Sequence, residues 1–235
     1  MPTSELPTLD RWARARLHRF LREAREAYEG YELHRVYRGA VDFCAVDLSA
    51  RYFDMIKDRL YCSAPDDRGR RAAQTVIHEI VSALCRVLAP IASFTCEEAY
   101  AHLHGHRESV FLAGMPEASA DAFDEGLEKE LDALFGHRLH VQARLEEMRA
   151  KKDIGSSVEA RVELPLAADA LKRFDPAGLP ELFIVSEVAL GAPDYRVERA
   201  AGKRCARCWN WRPDVDAAEL CGRCRRVVDS LQAQP

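Results

Sequence analysis

Lys203-Arg204-Cys205-Ala206-Arg207-Cys208-Trp209-Asn210-Trp211, followed by Glu219-Leu220-Cys221-Gly222-Arg223-Cys224-Arg225-Arg226, decides how the end of this chain folds. Two Cys-x-x-Cys pairs stand twelve residues apart. Each pair curls so that both sulfurs face one point, and two pairs supply the four thiolates of a tetrahedral zinc site. Four protein ligands leave no position open for water, so one zinc ion here is structural and not catalytic. The competing readings are two disulfides or four idle thiols; the spacing favours the metal.

The same stretch is a basic island. Residues 199–226 hold eight Lys and Arg side chains against three acids, while the whole chain sits at −4. An anionic partner fits such an island, although a small zinc module also exposes its charges for want of a core. Arg204, Arg207, Arg212, Arg223, Arg225 and Arg226 are the candidate phosphate contacts. Trp209 and Trp211 alternate beside the second cysteine, either as stacking platforms for bases or as covers for the zinc core.

Outside the island, Cys44, Cys62, Cys85 and Cys96 are scattered singly among apolar residues, as buried reduced cysteines are. With no signal peptide at Met1–Glu5, this points to the cytosol. No apolar run of about 18 residues is present, so no membrane span is expected.

Toward the N-terminus the pattern is helical. Leu9, Trp12, Ala13, Leu17, Phe20, Leu21, Ala24 and Tyr28 recur at three- and four-residue spacing and predict a helix over 9–29, capped by Thr8 and stopped by Gly30. Its other face, with Arg11, Arg14, Arg22 and Arg25, reads as solvated surface. Further helices are predicted over 32–49, with Leu33, Val36, Tyr37, Ala40, Val41, Cys44 and Leu48 as the apolar stripe, and over 50–61. Another runs over 70–89 and ends at Pro90. Thr95-Cys96-Glu97-Glu98 reads as a capping box opening a short helix. His102-Leu103-His104-Gly105-His106 reads as a polar helix end, not a metal or nucleotide site. After an extended piece at 109–112, a long helix covers 124–151. Alternation at 158–164 gives a strand, 167–174 a short helix, 181–190 a second strand, and 195–198 a third. The expected architecture is mainly α. A helical bundle (1–122) is followed by a long connecting helix (123–154), a small α+β unit (155–200) and a zinc knuckle (201–235).

Several of these stretches together resemble the C-terminal third of bacterial isoleucyl-tRNA synthetases. They are Leu9-Asp10-Arg11-Trp12, Tyr31-Glu32-Leu33-His34-Arg35, Asp42-Phe43-Cys44 with Val46-Asp47-Leu48-Ser49, and Lys57-Asp58-Arg59-Leu60-Tyr61. Leu88-Ala89-Pro90-Ile91, Phe94-Thr95-Cys96-Glu97-Glu98, Lys152–Ala160 and the two Cys-x-x-Cys pairs complete the order. The resemblance implies an anticodon-binding helical domain of the class I type, a terminal zinc finger, and isoleucine tRNA as the partner. Stretches that match the His-Ile-Gly-His and Lys-Met-Ser-Lys-Ser motifs of that family are missing. Adenylation with ATP therefore belongs to the full enzyme, whose catalytic domains are in cis or missing, and this segment alone is expected to be non-catalytic. The alternative is a stand-alone synthetase-derived module that binds nucleic acid or protein through a structural zinc finger.

Overall fold

The computed structural model describes residues 2–105 and 108–232. The chain forms two compact units: Met1–Asp54 with Arg68–Glu125, and Met55–Asp67 with Gly126–Pro235.

The first unit is helical. Helix α1 (Thr8–Glu29) packs on α2 (Leu33–Asp42) and α4 (Arg68–Leu88). Leu9, Trp12, Leu17, Phe20 and Leu21 of α1 are buried with Val36 and Ala40 of α2 and with Val76, Ile80 and Val87 of α4. Each large side chain withdrawn from water contributes about 1.5–3 kcal/mol. The Phe20 and Phe43 rings stack at 5.5 Å and 6°. One polar contact lies inside this core: the Tyr52 hydroxyl donates to Asp10 Oδ1 at 2.5 Å, with both residues fully buried.

Several elements differ from the sequence pattern. Thr8 is the first helical residue of α1 and not its cap. The chain does not break near residue 50. Phe43–Phe53 winds as a π-helix and runs on into α3 (Asp54–Cys62). The capping box at Thr95 is also displaced. The amide of Cys96 already donates to Ala92 O at 2.9 Å, so α5 (Ser93–Ala101) starts two residues before Thr95. Residues 110–112 form a 3-10 turn, held by the Phe111 amide donating to Ser109 Oγ. The arginine face of α1 is engaged within the unit: Arg11 pairs with Asp124 at 2.6 Å and Arg14 with Glu79 at 3.0 Å. His102–Gly105 form a turned helix end, as expected, and His106 lies outside the described residues.

The second unit carries α3, the long helix α6 (Glu125–Ala150) and a three-stranded sheet ordered β2-β1-β3. Strand β1 (Ala160–Leu164) pairs in parallel with β2 (Glu187–Leu190), Val162 opposite Val188. It pairs antiparallel with β3 (Arg196–Arg199), Val162 opposite Val197. Ala160, Val162 and Leu164 alternate inward. Two expected elements change here. Residues 167–174 are not a helix beyond a 3-10 turn, because the Glu130 carboxylate of α6 accepts the amides of Lys172, Arg173 and Phe174. The expected strand over 181–190 begins as a helix instead. Helix α7 (Leu179–Phe183) is closed by Ile184 in the left-handed region at φ 56°, and strand pairing starts only at Glu187. A two-stranded ribbon, β4 (Lys203–Arg204) with β5 (Trp211–Arg212), and helix α8 (Gly222–Gln232) complete the unit. Among the described residues, no helix is long and apolar enough to cross a membrane.

Tyr52→Phe removes one donor from a buried carboxylate. Urea unfolding of this variant should show the first unit destabilised by about 1–3 kcal/mol with its helical circular dichroism intact.

Candidate functional site

Cys205 is delivered by the end of the β4 strand, Cys208 by the turn after it, and Cys221 and Cys224 by the start of α8. The turn is tight. The Trp209 amide donates to Cys205 O and the Cys205 amide to Asn210 O, both at 2.9 Å. The start of α8 is set by Asp214, whose carboxylate accepts the Gly222 amide at 2.9 Å. Gly202, at φ +94°, faces the backbone of Arg212 so closely that a Cβ would collide with it, which reserves the entry to the ribbon for glycine.

All four sulfurs lie within 4.8 Å of one another. A tetrahedral ion with sulfur bonds of about 2.3 Å needs sulfur–sulfur edges of about 3.8 Å, and Cys208 Sγ and Cys221 Sγ stand 3.9 Å apart. The surroundings also favour thiolates. The Cys221 amide points at Cys205 Sγ at 3.4 Å, and Arg207 Nη1 lies 3.9 Å from Cys224 Sγ. Burial pushes the Cys205 thiol up, but backbone amides of Cys208, Cys221 and Arg207 outweigh it and bring it down to about 6. Burial holds the Cys221 and Cys224 thiols above their ordinary value. Four such groups in one place can hold a metal ion through charge compensation, and no other such cluster exists among the described residues. The hydrophobic core of the module is only the cysteines themselves with Val215 and Leu220 against them.

The basic residues of the island divide into two sets. Arg223 makes a two-pronged pair with Asp58 of α3, at 2.5 and 2.7 Å, and this hydrogen bonding raises its pKa. Arg207 donates to the carbonyls of Tyr61 and Cys62 at the C-terminal end of α3, where a cation also meets the negative end of the helix dipole. Burial, with Asp58 adding to it, pushes the Cys62 thiol there up to about 11. Arg225 pairs with Asp216 at 2.7 Å. The second set faces solvent. Lys203, Arg204, Arg212 and Arg226 are exposed and have no carboxylate partner among the described residues. Lys203 and Arg212 stand directly opposite each other across the ribbon. Like charges in that register repel, so an anion on this face relieves a cost built into the fold. Lys203 belongs to the island in sequence but was not singled out there; its cross-strand register with Arg212 is what brings it in.

The two tryptophans also part. Trp211 is half-buried under the Arg199 guanidinium, 4.5 Å from its ring, and its amide donates to Ser186 Oγ at 2.7 Å. Trp209 is 58% exposed and does not pack on the cysteine cluster. Its backbone is left-handed at φ 66°, a strained position for a bulky residue. The Arg204 guanidinium lies 5.4 Å from its ring.

A family described as anticodon-binding domain of tRNA ligase matches residues 10–164. Over 97% of its length, the chain is 44% identical to an isoleucine–tRNA ligase of Symbiobacterium thermophilum, covering 27% of that protein. It is 38% identical to the isoleucine–tRNA ligase of Carboxydothermus hydrogenoformans over all of this chain and 28% of that protein. It is also 38% identical to that of Thermotoga maritima over 97% of this chain and 27% of that protein. The chain thus spans about a quarter of the length of the curated relatives it matches. A helical bundle followed by a cysteine-bound basic module, matched in this way over most of its residues, belongs to the family of anticodon-binding domains of tRNA ligases.

Proposed function

We infer that the chain is the tRNA-holding C-terminal part of an isoleucine–tRNA ligase, with one structural zinc ion held by Cys205, Cys208, Cys221 and Cys224. The observation that carries this reading is the uncompensated face of the knuckle: exposed Trp209 with Arg204 over it, and Lys203 opposite Arg212. A splayed loop base stacks on an aromatic ring while neighbouring guanidinium groups take its phosphates. Of the candidate contacts, Arg204, Trp209, Arg212 and Arg226 then meet the RNA, and Lys203 joins them. Arg207, Arg223 and Arg225 hold the knuckle in shape, and Trp211 seats it on the sheet. Zinc supplies folding energy to a module with almost no apolar core, about 10–16 kcal/mol in comparable peptides. The adenylation of isoleucine and its transfer to tRNA are activities of the longer ligase, which the held tRNA serves by having its 3′ end positioned. The cytoplasm is the compartment that this reading requires.

Trp209→Gly separates RNA contact from structural cover. Removing the ring should weaken binding of isoleucine tRNA by about 1–3 kcal/mol, the worth of a stacked base. The melting temperature should hold or rise, because glycine accepts φ 66° without strain. A fall in stability with unchanged affinity would make Trp209 a structural cover.

Filter binding of isoleucine tRNA across a salt series should give a linear decline in log affinity. Arg204→Ala and Arg212→Ala should each flatten the slope by about 0.7–0.9, one phosphate contact apiece. A flat response in the unaltered chain, or no preference over bulk RNA, contradicts the reading.

Elemental analysis should find one zinc per chain and none in Cys205→Ser. Chelation should abolish the near-ultraviolet dichroism of Trp209 and Trp211 and leave most helical signal in place, since the bundle core contains none of these cysteines.

A further inference from the structure

Helix α2 is apolar over more of its surface than the bundle buries. Val36 and Ala40 face the core. Leu33, Tyr37 and Val41 succeed one another at four-residue steps, one row on the helix surface, and remain 45%, 59% and 45% exposed. Exposed Tyr31 and Val46 extend the apolar row at its two ends. Isolated exposed apolar residues need no explanation, but a continuous row marks a surface that is covered by something.

The chemistry of the row selects the class of occupant. Between Glu32 and Asp42 the charges are Arg35 and Arg38 against Glu32 and Asp42, and Arg35 is already paired with Glu32. Affinity for nucleic acid rests on neutralised phosphates, and a neutral, aliphatic face supplies little of that. An apolar row with few charges at its centre has the composition of a protein–protein contact. Arg38 has no carboxylate partner among the described residues, so a complementary surface brings an acidic side chain to its edge.

We propose that the α2 row is the seat of another protein surface: the part of the tRNA ligase that lies outside the quarter matched by this chain. This rests on the function inferred above. The relative from Symbiobacterium thermophilum has most of its length beyond the match, and the family match over 10–164 includes α2. The docked surface covers Leu33, Tyr37 and Val41 and leaves the knuckle's basic face open to tRNA.

The unmatched part of the Symbiobacterium thermophilum ligase, expressed as a separate polypeptide, is titrated into the full 235-residue chain by calorimetry. Val41→Glu and Leu33→Lys each place a charge at an exposed position, and unchanged melting temperatures confirm folding. The expected result is a one-to-one complex with the unaltered chain, weakened at least tenfold by each variant, while both variants bind isoleucine tRNA as the parent does. No complex, or a complex indifferent to both variants, overturns the proposal. So does a loss of tRNA affinity in the variants, which would make the row an RNA surface. A self-association of the parent that the variants abolish overturns it too, by assigning the row to a second copy. Absence of tRNA binding by the unaltered chain would instead overturn the inferred function, and that measurement is made separately.

Discussion

The C-terminal module depends on four sulfur atoms held within 4.8 Å of one another. Beyond the cysteines, Val215 and Leu220 are what its core has, and that burial falls far short of offsetting the conformational entropy of about thirty ordered residues. A bound ion supplies the missing cohesion, and the backbone amides around Cys205 are already turned toward its thiolate charge. Everything that the module presents outward is positioned by this centre: the left-handed turn at Trp209, the β4–β5 register and the first turn of α8.

Once organised, the module is anchored by its own arginines. Arg223 grips Asp58 and Arg207 grips the last carbonyls of α3, so two of the most basic positions in the island face protein. Arg59 of the same helix meets Glu181 of α7 at 3.0 Å, which makes α3 the common support of the knuckle and the sheet. Breaking the Arg223–Asp58 pair from one side leaves a partly buried charge without its partner, a costlier change than deleting an exposed ion pair. The charges left outward are the ones free to meet an anion. The fold thereby sorts one basic cluster into an anchor and a binding face.

The sequence shows most of this architecture but not that sorting. The three- and four-residue spacing of Leu9, Trp12, Leu17 and Phe20 places α1 within a residue of its ends, and the Cys spacing locates the metal centre. Periodicity fails where tertiary contacts override local preference. Phe183-Ile184-Val185 looks like a strand by β-branching, yet Ile184 closes a helix in the left-handed region. Residues 172–174 look helical, yet their amides turn to Glu130. In α2 the apolar stripe includes Leu33, Tyr37 and Val41, which the bundle leaves exposed, because apolar character does not say which neighbour is present. Arg207 and Arg223 are indistinguishable in sequence from Arg204 and Arg212. Only the position of Asp58, some 165 residues earlier in the chain, separates them.

The most direct test is the affinity for isoleucine tRNA of one preparation measured with zinc bound, after chelation, and after zinc is returned, at a fixed salt concentration. A metal-organised binding face predicts a loss on chelation, at least as large as that of Trp209→Gly, and full recovery on reloading. Equal affinity in all three states would contradict it, and would place the RNA contact on the helical bundle alone.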